Sequence, residues 1–248
     1  MSGHSKWSTI KRKKGAMDAK RSKMFARVSK EIAIAVKEGG GSDPEMNPRL
    51  RLAVQNAKGV NMPKDNIARA ISNAQKDPTN FEAVSFEGYL PHGIAVIIDC
   101  LTDNNNRTVS AVRAVFNKRG GNLGTKGSLS FLFDTKGIFT IPKKEIDSEE
   151  FQLELIDAGL QEFEEEGDYY ILTTSFEDFG SMQKKLEEMN VEVENAELKR
   201  IPNDTKTLPT EEAVKILKII EDFEEEDDVQ NVYHNMELTD EVIEKMQE

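Results

Sequence analysis

Residues 84–101, VSFEGYLPHGIAVIIDCL, mark the point at which the chain changes from a helical to an extended pattern. Two apolar runs, 84–90 and 93–101, flank the turn signal Pro91-His92-Gly93, and this combination predicts a β-hairpin. The second run contains the longest apolar stretch of the chain and is typical of a buried strand. It is far shorter than the roughly 20 residues that a membrane-spanning helix needs.

On the C-terminal side of this hairpin the sequence predicts alternating helices and strands. The predicted elements are a helix at 107–119, strands at 128–133 and 137–141, a helix at 148–158, strands near 161–163 and at 169–174, a helix at 179–189, a strand at 191–198, a helix at 210–223 and a strand at 229–234. From 137 to 198 the order is βαββαβ, the ferredoxin-like arrangement. The last helix and strand lack a sheet of their own, and they complete the ββαβ segment that begins at the hairpin.

On the N-terminal side, apolar residues at helical spacing predict three short helices. The first covers 20–38 and is ended by Gly39-Gly40-Gly41, the second is outlined by Leu50 to Ala57, and the third follows Asn61-Met62-Pro63. We therefore predict an α+β, multidomain fold with a three-helix bundle and two α/β-sandwich, ferredoxin-like domains, the second inserted in the first. The predicted ranges are a basic arm at 1–19, the bundle at 20–78, an α/β domain at 81–134 and 206–248, and the inserted domain at 135–203.

The net charge of −12 conceals a strong asymmetry between two parts of the chain. Residues 1–80 contain 17 lysines and arginines and 7 acidic residues, whereas the remainder contains 16 and 38. An asymmetry of this size indicates a polyanion-binding region in the basic part. The acidic remainder would repel phosphate, which leaves the N-terminal region as the competent surface.

The first thirty residues supply the candidate site. Lys20, Lys23, Arg27 and Lys30 recur every three or four residues, so we expect them on one outward face of the first helix. Trp7 could stack on a base, although it could equally be an ordinary packing anchor. The alternative is that the acidic remainder holds the basic residues intramolecularly. The predicted nucleic-acid-binding residues are Lys6, Trp7, Lys11, Arg12, Lys13, Lys14, Lys20, Arg21, Lys23, Arg27 and Lys30.

Signals for an enzyme or a metal site are weak. His4, His92 and His234 are scattered, and Cys100 lies in an apolar strand, which favours a buried, inert thiol. The glycine-rich segment 120–124 follows a helix and leads into a strand, the reverse of a phosphate-binding loop. The acidic runs 162–166 and 221–228 are typical of solvated faces or helix ends. We predict no catalytic residue, no metal, no cofactor, no small-molecule substrate, no membrane partner and a cytoplasmic location.

Several long strings resemble the YebC/PmpR family over essentially the whole chain. They include Gly3-His4-Ser5-Lys6-Trp7, Asp18-Ala19-Lys20-Arg21-Ser22-Lys23, Asn47-Pro48-Arg49-Leu50-Arg51, Asn61-Met62-Pro63-Lys64-Asp65-Asn66-Ile67, and Thr102-Asp103-Asn104 with Asn106-Arg107-Thr108. The mitochondrial translational activator of cytochrome oxidase is a relative. The resemblance implies three domains, a helical bundle and two α/β domains with one inserted in the other.

The resemblance implies two versions of one function. Bacterial members are described as DNA-binding transcriptional regulators, whereas other members resemble ribosome-associated translation factors that assist elongation through stretches such as consecutive prolines. The expected partner is accordingly promoter DNA, or ribosomal RNA together with the ribosome. The sequence shows no helix-turn-helix recognition pattern, which weakens the case for sequence-specific DNA binding. A protein-interaction scaffold is the alternative from another class.

Overall fold

The computed structural model describes residues 18–76, 80–143 and 148–246, and the chain divides into two compact units. Of the described residues, one unit combines 18–30 with 80–134 and 201–246, and the other combines 31–76 with 135–143 and 148–200. The helices are α1 (Asp18–Glu38), α2 (Pro48–Gly59), α3 (Lys64–Lys76), α4 (Asn105–Arg119), α5 (Ser148–Ile156), α6 (Phe179–Glu188), α7 (Thr210–Glu225) and α8 (Asp240–Lys245). The strands are β1 (Glu82–Leu90), β2 (Ile94–Thr102), β3 (Asn122–Leu123), β4 (Phe133–Pro142), β5 (Leu160–Glu166), β6 (Tyr169–Ser175), β7 (Asn195–Pro202) and β8 (Val229–His234).

The predicted hairpin is confirmed and forms the centre of the first sheet, whose strand order is β3-β1-β2-β8. Strands β1 and β2 pair antiparallel from Glu82 opposite Thr102 to Leu90 opposite Ile94. Alternate residues of β2 face the core, where helices α4 and α7 cover the sheet. This core includes Ile94, Val96, Ile98, Cys100, Val112, Phe116, Ile216, Leu217, Ile220, Phe223, Val229 and Val232.

The predicted strand at 128–133 is wrong. Ser130–Leu132 is a turn of 3-10 helix, and the third strand of the first sheet is the short β3, which pairs with β1. The cause is the buried carboxylate of Glu87, which accepts hydrogen bonds from the backbone N–H of Gly127 at 2.7 Å and of Leu129 at 2.6 Å. These N–H groups are therefore occupied by a side chain and are not available for strand pairing.

The second sheet has the strand order β5-β6-β4-β7, with α5 following β4 and α6 following β6. This is the split βαβ order, so the predicted α+β, multidomain fold class is confirmed. Its last strand begins at Asn195 and not at the predicted residue 191. The left-handed Asn190, with φ of 53°, ends α6, and Val191 and Val193 pack against the helix side of the sheet before the strand begins.

Helix α2 is held against the start of β7 by side-chain amides that imitate strand pairing. Asn56 donates from Nδ2 to the carbonyl of Ala196 at 2.9 Å and accepts at Oδ1 from the Ala196 N–H at 3.0 Å. Gln55 donates to the carbonyl of Val193 at 2.9 Å. A Cβ at Gly59 would lie 2.0 Å from the carbonyl oxygen of Glu194, so only glycine permits this approach.

Replacing Asn56 by alanine is expected to lower the free energy of unfolding by about 2 kcal/mol, because the buried Ala196 loses both backbone partners. Gln55→Ala removes one bond and should cost about 1 kcal/mol. Urea denaturation followed by circular dichroism measures both. Equal values for the two variants would contradict the two-bond role of Asn56.

Among the described residues, none of the helices is both long and apolar enough to cross a membrane.

Candidate nucleic-acid interface

The predicted contact residues fall into three groups. Lys6, Trp7, Lys11, Arg12, Lys13 and Lys14 lie outside the described residues, as does the side chain of Lys20. Arg21 is exposed on α1, and its guanidinium carbon lies 5.4 Å from the centroid of the Phe25 ring. Lys23, Arg27 and Lys30 form the third group, and their environment differs from the prediction.

The expectation that Lys23, Arg27 and Lys30 face outward from α1 is wrong. Lys23 Nζ donates to the carbonyl of Glu225, and Arg27 Nη2 donates to the carbonyl of Glu224 at 2.6 Å. Lys30 Nζ donates to the carbonyl of Asp227 at 2.8 Å. The alternative that acidic residues hold part of the basic helix intramolecularly is therefore what the structure shows for these three side chains.

The physical reason lies at the C-terminal end of α7. The last carbonyls of a helix lack intrahelical partners and carry the negative end of the helix dipole, so they attract cations. Three cations of α1 supply hydrogen bonds at this end. Burial, followed by the neighbouring charge of Arg27, lowers the pKa of Lys23 below its ordinary value. The basic side chains thus cap a helix, and we assign them a structural role.

Asp228 is the centre of a buried ion cluster beside this helix end. Its carboxylate accepts hydrogen bonds from Lys30 Nζ at 2.9 Å, Arg107 Nη2 at 2.7 Å and Thr108 Oγ1 at 2.8 Å. Burial by itself would raise the pKa of Asp228, but the hydrogen bonds from Arg107, Lys30 and Thr108 outweigh it and lower the pKa to about 2. The acidic run 221–228 lies at the end of α7, one of the two predicted alternatives, but a solvated position is wrong for Asp228, which is 7% exposed.

A cleft of about 170 Å³ lies next to the cluster. Its lining includes Arg107 but also Glu225, Glu226, Asp227 and Asp228. Because four carboxylates and one guanidinium line this cleft, its negative charge is unfavourable for binding phosphate. We therefore do not include this cleft in the candidate contact surface.

The helices α2 and α3 carry further cations, which were not among the predicted nucleic-acid-binding residues. Arg49 is paired with Glu38, and Arg51 with Glu187 at 3.2 Å. In contrast, Lys58, Lys64, Arg69 and Lys76 are exposed and have no ion-pair partner among the described residues. The signal available in the sequence was the position of Arg69 and Lys76 opposite the apolar face of the third helix.

The cysteine, two of the histidines and the glycine-rich segment 120–124 were also weighed as candidate sites, and the structure shows where each lies. Cys100 is buried, as predicted, and burial together with the charge of Asp99 raises the pKa of its thiol to about 12. His92 is exposed near Glu212, and His234 is buried. Gly120 caps α4 in the left-handed conformation, with φ of 72°, so the glycine-rich segment closes a helix and does not open one. The part of the chain that the structure describes contains no group of three or more metal-ligating side chains.

Comparison with protein-family models finds two matches that together cover most of the chain. Residues 5–77 match the model described as the TACO1/YebC protein N-terminal domain. Residues 81–236 match the model described as the TACO1/YebC second and third domain. The boundary between the two matches falls between α3 and β1.

Curated relatives match nearly the whole length of the chain. A protein of Amoebophilus asiaticus named probable transcriptional regulatory protein is 51% identical over 95% of this chain and 98% of its own length. A protein of Rubrobacter xylanophilus with the same name is 47% identical, covering 98% of each chain. The crystal structure of the conserved hypothetical protein Aq1575 from Aquifex aeolicus superimposes with a TM-score of 0.78 at 40% identity, covering 90% of this chain and 93% of that one.

Proposed function

Because the chain belongs to the TACO1/YebC family, we propose that it is a DNA-binding regulator of transcription. The names of its relatives from Amoebophilus asiaticus and Rubrobacter xylanophilus support the regulatory part of this proposal. The proposed contact residues are those of the basic arm, residues 1–19, together with Lys20 and Arg21. Lys23, Arg27 and Lys30 are left out because they bind the end of α7.

The main support for the proposal is the uneven distribution of charge along the chain. Residues 1–80 have a net charge of +10 and the rest of the chain has −22. A protein that neutralises phosphates with such a segment releases counterions, which dominates its affinity for nucleic acid. Even after three cations of α1 are assigned to the helix end, the arm retains Lys6, Lys11, Arg12, Lys13 and Lys14.

The proposal describes a binding protein and not an enzyme. The raised pKa of Cys100 supports this, because a thiol with a pKa of about 12 is a poor nucleophile near neutral pH. A cytoplasmic location is part of the same proposal, since a single cysteine fits a reducing compartment.

The test replaces Lys11, Arg12, Lys13 and Lys14 together by alanine. Binding of the full chain to a fluorescent random-sequence DNA duplex is measured by anisotropy over a series of salt concentrations. Log affinity decreases with log salt, and each phosphate contact contributes about 0.9 to the steepness of that decrease. Loss of four contacts should therefore make the slope shallower by about 3–4. The matched control replaces four exposed lysines of the acidic part, Lys118, Lys126, Lys215 and Lys218, and should leave the slope unchanged.

Equal slopes for the two variants would show that the arm does not contact nucleic acid. Crosslinking in cells followed by sequencing of the bound nucleic acid then identifies the target. Recovery of promoter DNA supports the proposal. Recovery of ribosomal RNA instead would assign the protein to translation, and unchanged cellular activity of the arm variant would favour the interaction scaffold.

A further inference from the structure

Helices α2 and α3 are joined by a short turn of defined conformation. Only residues 60–63 separate them, and Asn61 adopts the left-handed conformation with φ of 57°. The N–H of Met62 bonds to the carbonyl of Ala57 at 2.9 Å, and the Met62 side chain is buried. A turn of three to four residues between two helices is one feature of a helix-turn-helix motif.

The two helices have different roles in this arrangement. One side of α2 is fixed to the chain around β7 by Asn56 and Gln55, as described above, and Arg51 pairs with Glu187. Helix α2 therefore supports α3 and fixes its position within this unit.

One face of helix α3 is buried, and the opposite face is exposed to solvent. Ile67 and Ala74 are buried, whereas Arg69, Asn73 and Lys76 on the opposite side are exposed. These three side chains have no hydrogen-bond or ion-pair partner among the described residues. Arg69 and Asn73 are one turn apart, so they project from the same face.

Building on the proposed function, we propose that α3 is a recognition helix that lies in the major groove of duplex DNA. The groove is about 12 Å wide and admits one α-helix. An arginine can donate two hydrogen bonds to guanine, and an asparagine can form two with adenine. Arg69 and Asn73 have the side-chain types and spacing for two such contacts. Lys64 at the start of α3 and Lys76 at its end are placed to bind phosphates.

Double-stranded RNA fits this surface less well. The major groove of A-form RNA is deep and narrow, and side chains on a helix cannot reach its base edges. The arm contributes charge without base specificity, whereas α3 supplies contacts that differ from one base to another. The sequence preference of the protein is thus assigned to Arg69 and Asn73.

The test begins with selection of duplexes from a random DNA library by the full chain. The enriched duplex and a scrambled version are then compared with the Arg69→Ala/Asn73→Ala variant. Its preference for the enriched duplex should fall by roughly tenfold or more, since two base contacts are lost. Arg113→Ala/Asn117→Ala is the matched control, because it removes the same two side-chain types at the same spacing from the exposed face of α4. Its preference should stay within about threefold of the parent.

Circular dichroism and the thermal midpoint establish that both variants are folded. If both lose the same preference, or if the chain binds duplex DNA without enriching any sequence, the recognition role of α3 is overturned while nucleic-acid binding through the arm stands. If the chain does not bind the DNA library at all, the proposed function fails as well, whether or not the chain binds ribosomal RNA. A selective loss in the α3 variant alone supports the proposal.

Discussion

Replacing Asp228 by alanine is expected to lower the free energy of unfolding by about 3–4 kcal/mol, because it removes the carboxylate that pairs with the largely buried ammonium of Lys30 and binds the buried hydroxyl of Thr108. The effect is large because one carboxylate serves donors from two separate helices, α1 and α4. Urea denaturation at neutral pH measures it. Asp227→Ala is the control, since the neighbouring side chain is exposed, and it should change stability by less than about 0.5 kcal/mol.

The same carboxylate makes stability depend on pH in a predictable direction. The pKa of Asp228 is about 2 in the folded chain against an ordinary value of 3.8, so its ionised form is stabilised by folding. This contribution, about 2 kcal/mol, is complete above pH 3.8 and is lost as the pH falls through about 2. The difference in stability between the parent and Asp228→Asn should therefore shrink between pH 4 and pH 2.5. A constant difference over that range would contradict the assignment.

Asn47→Ala is expected to cost about 3 kcal/mol of unfolding free energy, because three hydrogen bonds of a nearly fully buried side chain are lost together. Asn47 Oδ1 accepts from the Leu50 N–H at 3.0 Å and caps α2. Its Nδ2 donates to the carbonyls of Ala35 at 2.8 Å and Gly41 at 2.7 Å. The side-chain amide of Asn47 thus connects the end of α1, the loop that contains Gly41 and the start of α2.

A substitution series separates the two roles of Asn47. Asn47→Asp keeps the acceptor that caps α2 but cannot donate to the carbonyls, so its stability should lie between those of the parent and Asn47→Ala. Met46→Ala, next to it and 80% exposed, is the control and should be close to neutral. The interpretation fails if thermal and chemical denaturation place Asn47→Asp at or below Asn47→Ala.

Local patterns were sufficient for most of the helices and strands. The helix stop at Gly39-Gly40-Gly41 and the hairpin around Pro91-His92-Gly93 depend on residues that are neighbours in the chain, and both were predicted. Apart from the start of β7, which the neighbouring Asn190 delays, the errors occur where a distant residue intervenes. Glu87 takes the N–H groups of Gly127 and Leu129 and prevents the strand expected at 128–133. No periodicity within that segment contains information about a carboxylate forty residues away.

The site was predicted less completely than the fold, for the same reason. Lys23, Arg27 and Lys30 have the spacing of an exposed basic face, but nearly two hundred residues separate them from the carbonyls of Glu224, Glu225 and Asp227 that bind them. Arg69 and Asn73 were not among the predicted contact residues, because the candidate site was chosen from the strongly basic first thirty residues. The sequence by itself determined the α+β class, the order of the elements and the concentration of positive charge near the N-terminus, because each of these follows from composition and short-range spacing. Only the tertiary structure decided which of the described cations bind residues elsewhere in the chain, because partners far apart in the chain meet only once it is folded.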